Sequence, residues 1–184
     1  MDYRFAIRCW QDKAGSENAK ANVFVGSTQV LTEVEITATS ADSPQVIAWE
    51  STGLTDPKTD SSVTFAVKVV LANEYYVDAD TDRNIWINGF GHITKAADGA
   101  YKQAVYNSSD PTQIDSETTI TDFTDWANYE TATVPTAVTG DQIASDWWSG
   151  RGDTSFYHIP VWGGDDTGVT MTVPMTMNTC KPAE

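Results

Sequence analysis

Apolar side chains recur at every second position along much of this chain, and that alternation constrains the fold more than any other feature. Tyr3, Phe5, Ile7 and Cys9 share one face of a first segment, with Arg4 and Arg8 opposite. Val63, Phe65, Val67, Val69 and Leu71 form the most regular apolar face, and Val169, Met171, Val173, Met175 and Met177 form another near the end. A period of two belongs to a half-buried β-strand, whose successive side chains point to opposite sides of a sheet. The intervening segments ANVFVG, QVLTEVEITATS, PQVIAWES, RNIWINGFGHIT, AYKQAVY and TSFYHIPVW are bounded by Gly, Pro, Asn, Asp or Ser. They are rich in the Thr, Val, Ile and aromatic residues that suit a pleated surface. The pattern predicts an all-β, antiparallel β-sandwich with long loops. The length of 184 residues predicts one domain, 1–184. Residues 107–146, rich in Asp, Ser and Thr, read as a loop insertion with a short helical turn near Asp122–Tyr129.

Charge narrows the partners. With 26 Asp and Glu against 11 Lys and Arg, the formal charge of −15 repels nucleic acid and anionic membrane. No apolar run reaches the roughly 18 residues of a membrane span. Two cysteines, Cys9 and Cys180, are too few to define a disulfide framework; a bridge between terminal strands and two separate thiols are equally compatible with the sequence.

The stretch YYVDADTDRNIWING, from Tyr75 to Gly89, places carboxylates at alternate positions, Asp78, Asp80 and Asp82. A helix-loop-helix calcium loop is excluded, because Arg83 stands at the sixth position and Gly89 at the twelfth, where that motif needs Gly and Glu. What remains is an acidic loop at the mouth of a strand. It is either a solvated turn or a set of hard oxygen ligands of the kind Ca²⁺ takes.

The flanks of this loop add a resemblance. Asn73-Glu74, the acidic loop, and then Asp82-Arg83-Asn84-Ile85-Trp86-Ile87-Asn88, preceded by NVFVGSTQVLTEVEITATS, resemble calcium-dependent xylan-binding carbohydrate-binding modules, families thirty-six and sixty, over residues 21–93. Glu74 stands where that pattern has Asp, and Asn88 where it has a carboxylate. The resemblance implies a jelly-roll-like sandwich whose loop carboxylates hold Ca²⁺, with two adjacent sugar hydroxyls completing the coordination. On this reading Glu74, Asp78, Asp80 and Asp82 are the metal ligands. Tyr75, Tyr76 and Trp86, with Trp147, Trp148 and Trp162 from SDWWSGRGDTSFYHIPVWGGDDTG, are the candidate sugar-contacting aromatics; of the adjacent Trp147 and Trp148, one is expected in the core.

Enzyme signatures are nearly absent. His92 and His158, the two histidines, belong to no zinc pattern or nucleophile elbow and read as structural, and GFGHIT lacks the third glycine of a phosphate-cradling loop. Arg151-Gly152-Asp153 matches the adhesion tripeptide but reads as a tight loop. The sequence therefore points to a non-catalytic, calcium-dependent module that binds a polysaccharide or cell-surface glycan in a secreted or extracellular setting. The competing class is a virion structural protein, a bacteriophage head-decoration or tail component on the particle surface, with capsid or homo-oligomer contacts.

Overall fold

The computed structural model describes residues 2–54, 64–78, 80–106, 109–110, 113–131, 137–140, 159–162 and 168–174. Its strands are β1 (Tyr3–Asp12), β2 (Ala19–Val25), β3 (Thr28–Ile36), β4 (Gln45–Ser51), β5 (Thr64–Leu71), β6 (Tyr76–Asp78) and β7 (Thr81–Asp82). They continue with β8 (Asn84–Lys95), β9 (Tyr101–Tyr106), β10 (Ile114–Thr119), β11 (Glu130–Thr131), β12 (Ala137–Gly140), β13 (Ile159–Val161) and β14 (Val169–Pro174). One sheet runs β10-β9-β8-β1-β4, and the other runs β12-β14-β5-β2-β3. The described strand pairs are all antiparallel. The protein is an all-β sandwich.

The alternation builds the core between the sheets. Tyr3, Phe5, Ile7 and Cys9 of β1 pack with Phe65, Val67, Val69 and Leu71 of β5 and with Val169 and Met171 of β14. Aromatic contacts cross the gap: the Phe65 ring centroid lies 5.3 Å from Phe5 and 5.8 Å from Tyr3. Burying each such side chain contributes about 1.5–3 kcal/mol. Cys9 is a free, buried thiol. Val63, Met175, Met177, His158 and Cys180 lie outside the described residues.

The spine of the first sheet is β8. Along one edge it pairs with β1 over almost its whole length. On its other side it pairs in turn with β13 at Ile85–Ile87, β11 at Gly91–His92 and β9 at Thr94–Lys95. A bulge interrupts the β1–β8 ladder: Arg8 faces Gly89 while Cys9 faces Ile87, leaving Asn88 unopposed. The extra residue resets the phase, so that Ile85, Ile87 and Phe90 all enter the core. Asn88 Oδ1 accepts a 2.9 Å hydrogen bond from Arg8 Nε.

The outer face of this sheet is covered as well. Within residues 107–146 lie β10, β11, β12 and a 3₁₀ turn at Trp126–Asn128, and Ile120, Phe123, Trp126 and Tyr129 close a second apolar cluster over Ala6 and Ile93. Gly89 and Gly91 make room for this cover. A Cβ at Gly89 would lie 2.7 Å from Trp126 Cζ2, and one at Gly91 would lie 2.7 Å from Tyr129 Cβ. His92 is buried, edge-on to the Tyr3 ring at 6.2 Å.

Candidate functional site

The acidic loop forms a small hairpin, β6–β7, standing off the sandwich where β5 leads into β8. Its base is fastened by Arg83, which is only 4% exposed. The Arg83 main-chain N–H donates to the Tyr75 carbonyl at 2.9 Å. Its guanidinium donates to the carbonyls of Asn73, Ala14 and Glu17. The Tyr75 ring covers this cation at 5.4 Å and packs against Gly15, whose φ of +71° suits glycine. Asn73 adds a second tie, accepting from Lys20 N at 2.7 Å and donating to the Asn18 carbonyl at 2.9 Å. The loop after β1 and the hairpin before β8 are thereby joined.

A cleft of about 320 Å³ lies between these two walls, lined by Asp12, Lys13, Thr39, Asp80, Asp82 and Asn84. Gln11 also reaches it, but its amide is committed to Ala19 N, Asn18 Oδ1 and the Ile36 carbonyl. Asn84 is 7% exposed; its Nδ2 donates to Asp82 Oδ2 at 3.2 Å, whereas its Oδ1 is buried with no hydrogen-bond partner. A buried acceptor left unsatisfied costs about 1–3 kcal/mol. A donor or cation in the cleft would remove that cost.

The structure brings together only part of the sequence-derived set. Asp80 and Asp82 line the cleft. Asp78 is exposed on β6, where its Oδ1 accepts from the Asp80 N–H at 3.1 Å, and Glu74 is exposed just before the hairpin. Tyr76 is 64% exposed, while Tyr75 is spent in large part on Gly15 and Arg83. Trp86 stacks on its cross-strand neighbour Trp10, with centroids 6.3 Å apart and planes 13° from parallel. Its indole N–H donates to Asp12 Oδ2 at 2.6 Å. Trp162 is half-buried just after β13, and Trp147 and Trp148 lie outside the described residues.

Asp12 is the residue that sequence reasoning missed. Its only local signal is a carboxylate at the polar end of an otherwise apolar strand, and its place opposite the hairpin depends on pairing between residues far apart in the chain. Asp12, Asp80, Asp82, Thr39 and Asn84 Oδ1 together offer hard oxygens, the donor chemistry Ca²⁺ prefers. Among the described residues, no group of three or more His, Cys, Asp or Glu is arranged to hold a metal ion. The cleft is thus an oxygen-rich rim, and an ion there would draw its remaining ligands from water or from a bound molecule. No family model, curated protein or solved structure matches the chain.

Proposed function

We propose that the protein is a non-catalytic carbohydrate-binding module that takes sugar hydroxyls, with Ca²⁺, at the cleft between the β1 end and the acidic hairpin. The observation that carries this reading is Asn84 Oδ1, a buried acceptor without a partner in a wall that also presents Asp12, Asp80 and Asp82. A ligand hydroxyl donates to such an acceptor, and a calcium ion bound by few protein oxygens exchanges its waters for vicinal hydroxyls. Next to the lining residues Asp82 and Asp12, Tyr76 and the half-buried Trp86, which is backed by the buried Trp10, supply aromatic surface against which sugar C–H faces pack. Modest affinity is expected, because an open rim buries few ligand atoms.

The test is thermal unfolding with calcium or with chelator, followed by calorimetric titration with xylan-derived and other oligosaccharides. Ligands that bind only the folded state raise Tm by mass action. The expected result is a calcium-dependent rise that Asp82→Ala abolishes, with oligosaccharide heat lost in chelator. An unchanged midpoint overturns the calcium site, and no heat with any glycan in either condition overturns the carbohydrate reading.

A further inference from the structure

At the far end of β1 lies a second cleft, of about 370 Å³, between the β2–β3 turn and the end of β4. It is roughly 30 Å from the acidic cleft, since β1 advances about 3.3 Å per residue between Tyr3 and Asp12. Its polar lining comprises Thr28, Gln29, Glu50, Ser51 and Thr52. Its apolar lining comprises Val25, Val30 and Leu54, all partly buried against the main core. Ser51, opposite Tyr3 in the β1–β4 ladder, is 8% exposed, and its Oγ is buried with no hydrogen-bond partner.

We propose that this cleft is a second ligand site, for a neutral, hydroxyl-rich molecule the size of one sugar ring or a small polyol. Its volume lies within the range of about 300–1,000 Å³ typical of small-molecule sites. The charge pattern selects the class. Among the described residues, no lysine or arginine lines the cleft to receive an anion. Its single carboxylate among the described residues, Glu50, is held below its usual pKa by the Tyr101 hydroxyl and by Lys95, from whose Nζ it accepts at 2.9 Å. Among the described residues, a hard cation therefore lacks the several free carboxylates it needs. Hydroxyl and amide groups interspersed with aliphatic carbons suit the hydroxyls and C–H surface of a sugar ring. The Gln29 amide is fixed for the role by hydrogen bonds from Nε2 to the Leu31 carbonyl at 3.2 Å and to Thr32 Oγ1 at 3.1 Å. The site uses none of the acidic cleft's groups and does not require its ion.

Amide ¹H–¹⁵N spectra of the whole chain, titrated with D-glucose, D-galactose, D-xylose and myo-inositol in chelator, test the proposal. The expected result is saturable shifts at Thr28, Gln29, Ser51 and Thr52 that persist in the Asp82→Ala variant. Ser51→Ala removes a buried hydroxyl that has no partner among the described residues, so it should keep or raise the wild-type Tm yet bind about fivefold more weakly, the equivalent of one hydrogen bond. Gln29→Ala, on the exposed hairpin, should weaken binding similarly without unfolding the chain. Absence of shifts with all four compounds overturns the site, as does unchanged affinity in both variants. Shifts that appear only when the titration is repeated with calcium assign the ligand to the acidic cleft instead and likewise overturn it. Failure of calcium binding leaves the expected shifts in place, so the two proposals fail separately.

Discussion

The Trp86 indole N–H and the Asp12 carboxylate meet at 2.6 Å, tying the aromatic stack on β1 and β8 to the rim of the acidic cleft. Trp86→Phe keeps a ring to stack on Trp10 but loses the donor, and a charge-assisted hydrogen bond at a part-exposed site is worth about 1–2 kcal/mol. A domain of this size loses about 2–4 °C in Tm per kcal/mol. Asp12→Asn retains an acceptor for the indole and removes the charge. The expected pattern is a larger Tm loss in Trp86→Phe and a larger loss of calcium response in Asp12→Asn. The opposite ranking in calorimetric scans would remove Asp12 from the binding rim.

Arg83 is the clamp between the two walls of the cleft. The hydrogen bonds of its guanidinium among the described residues go to three main-chain carbonyls, and it is nearly sealed from solvent. Lysine keeps the charge but cannot span three acceptors with one planar fork. Arg83→Lys and Arg83→Met should each cost about 2–4 kcal/mol in urea unfolding, leaving the carbonyls of Asn73, Ala14 and Glu17 under-satisfied. Oligosaccharide binding should weaken as well, because the loop after β1 and the hairpin no longer hold one geometry. A near-wild-type urea midpoint in Arg83→Lys would show that charge alone fastens the hairpin.

Gly89 and Gly91 carry a purely steric prediction. Neither has a left-handed φ, yet a Cβ at either would meet Trp126 or Tyr129 at 2.7 Å. Alanine at each position should destabilise by about 1–3 kcal/mol through overpacking. Trp126→Ala should relieve the clash at Gly89 far more than that at Gly91, where Tyr129 Cβ is the nearer obstacle. A double-mutant cycle measures the difference, and equal rescue at both positions would contradict the packing described.

How far the sequence foretold these relationships varies with the range of the interaction. The core faces of β1, β5 and β14 follow from alternation alone, because burying one side of a pleat needs only a period of two. The phase of β8 does not, since the bulge at Asn88 becomes defined only against β1. The glycines of GFGHIT carry no local reason for their presence; the reason is the Trp126 and Tyr129 cover, contributed from nearly forty residues downstream. The acidic loop was legible as a carboxylate hairpin, whereas Asp12, Thr39 and the unsatisfied Asn84 Oδ1 depend on long-range pairing. Arg83 read as a departure from a calcium motif, and its work as a buried clamp follows from carbonyls on two loops distant in sequence.

Alkaline pH should expose the buried thiol thermodynamically. Burial pushes the Cys9 pKa up from 9.0 to about 12. Between those values the unfolded chain releases a proton that the folded chain retains, so stability is fully present below pH 9 and falls as pH rises, by as much as about 1.4 kcal/mol per pH unit. Burial also raises the Tyr129 hydroxyl from 10.0 to about 12, adding a similar loss that begins one unit higher. Urea midpoints of wild type and Cys9→Ala between pH 8 and pH 10 separate the two. The variant should be less stable at pH 8 because of the small void it leaves, yet show a flatter decline between pH 9 and pH 10. In native protein the thiol should also resist disulfide-exchange reagents until unfolding exposes it, since the thiolate is the reactive form. Parallel declines in the two proteins, or rapid labelling under native conditions, would place Cys9 nearer to solvent than the core between the sheets allows.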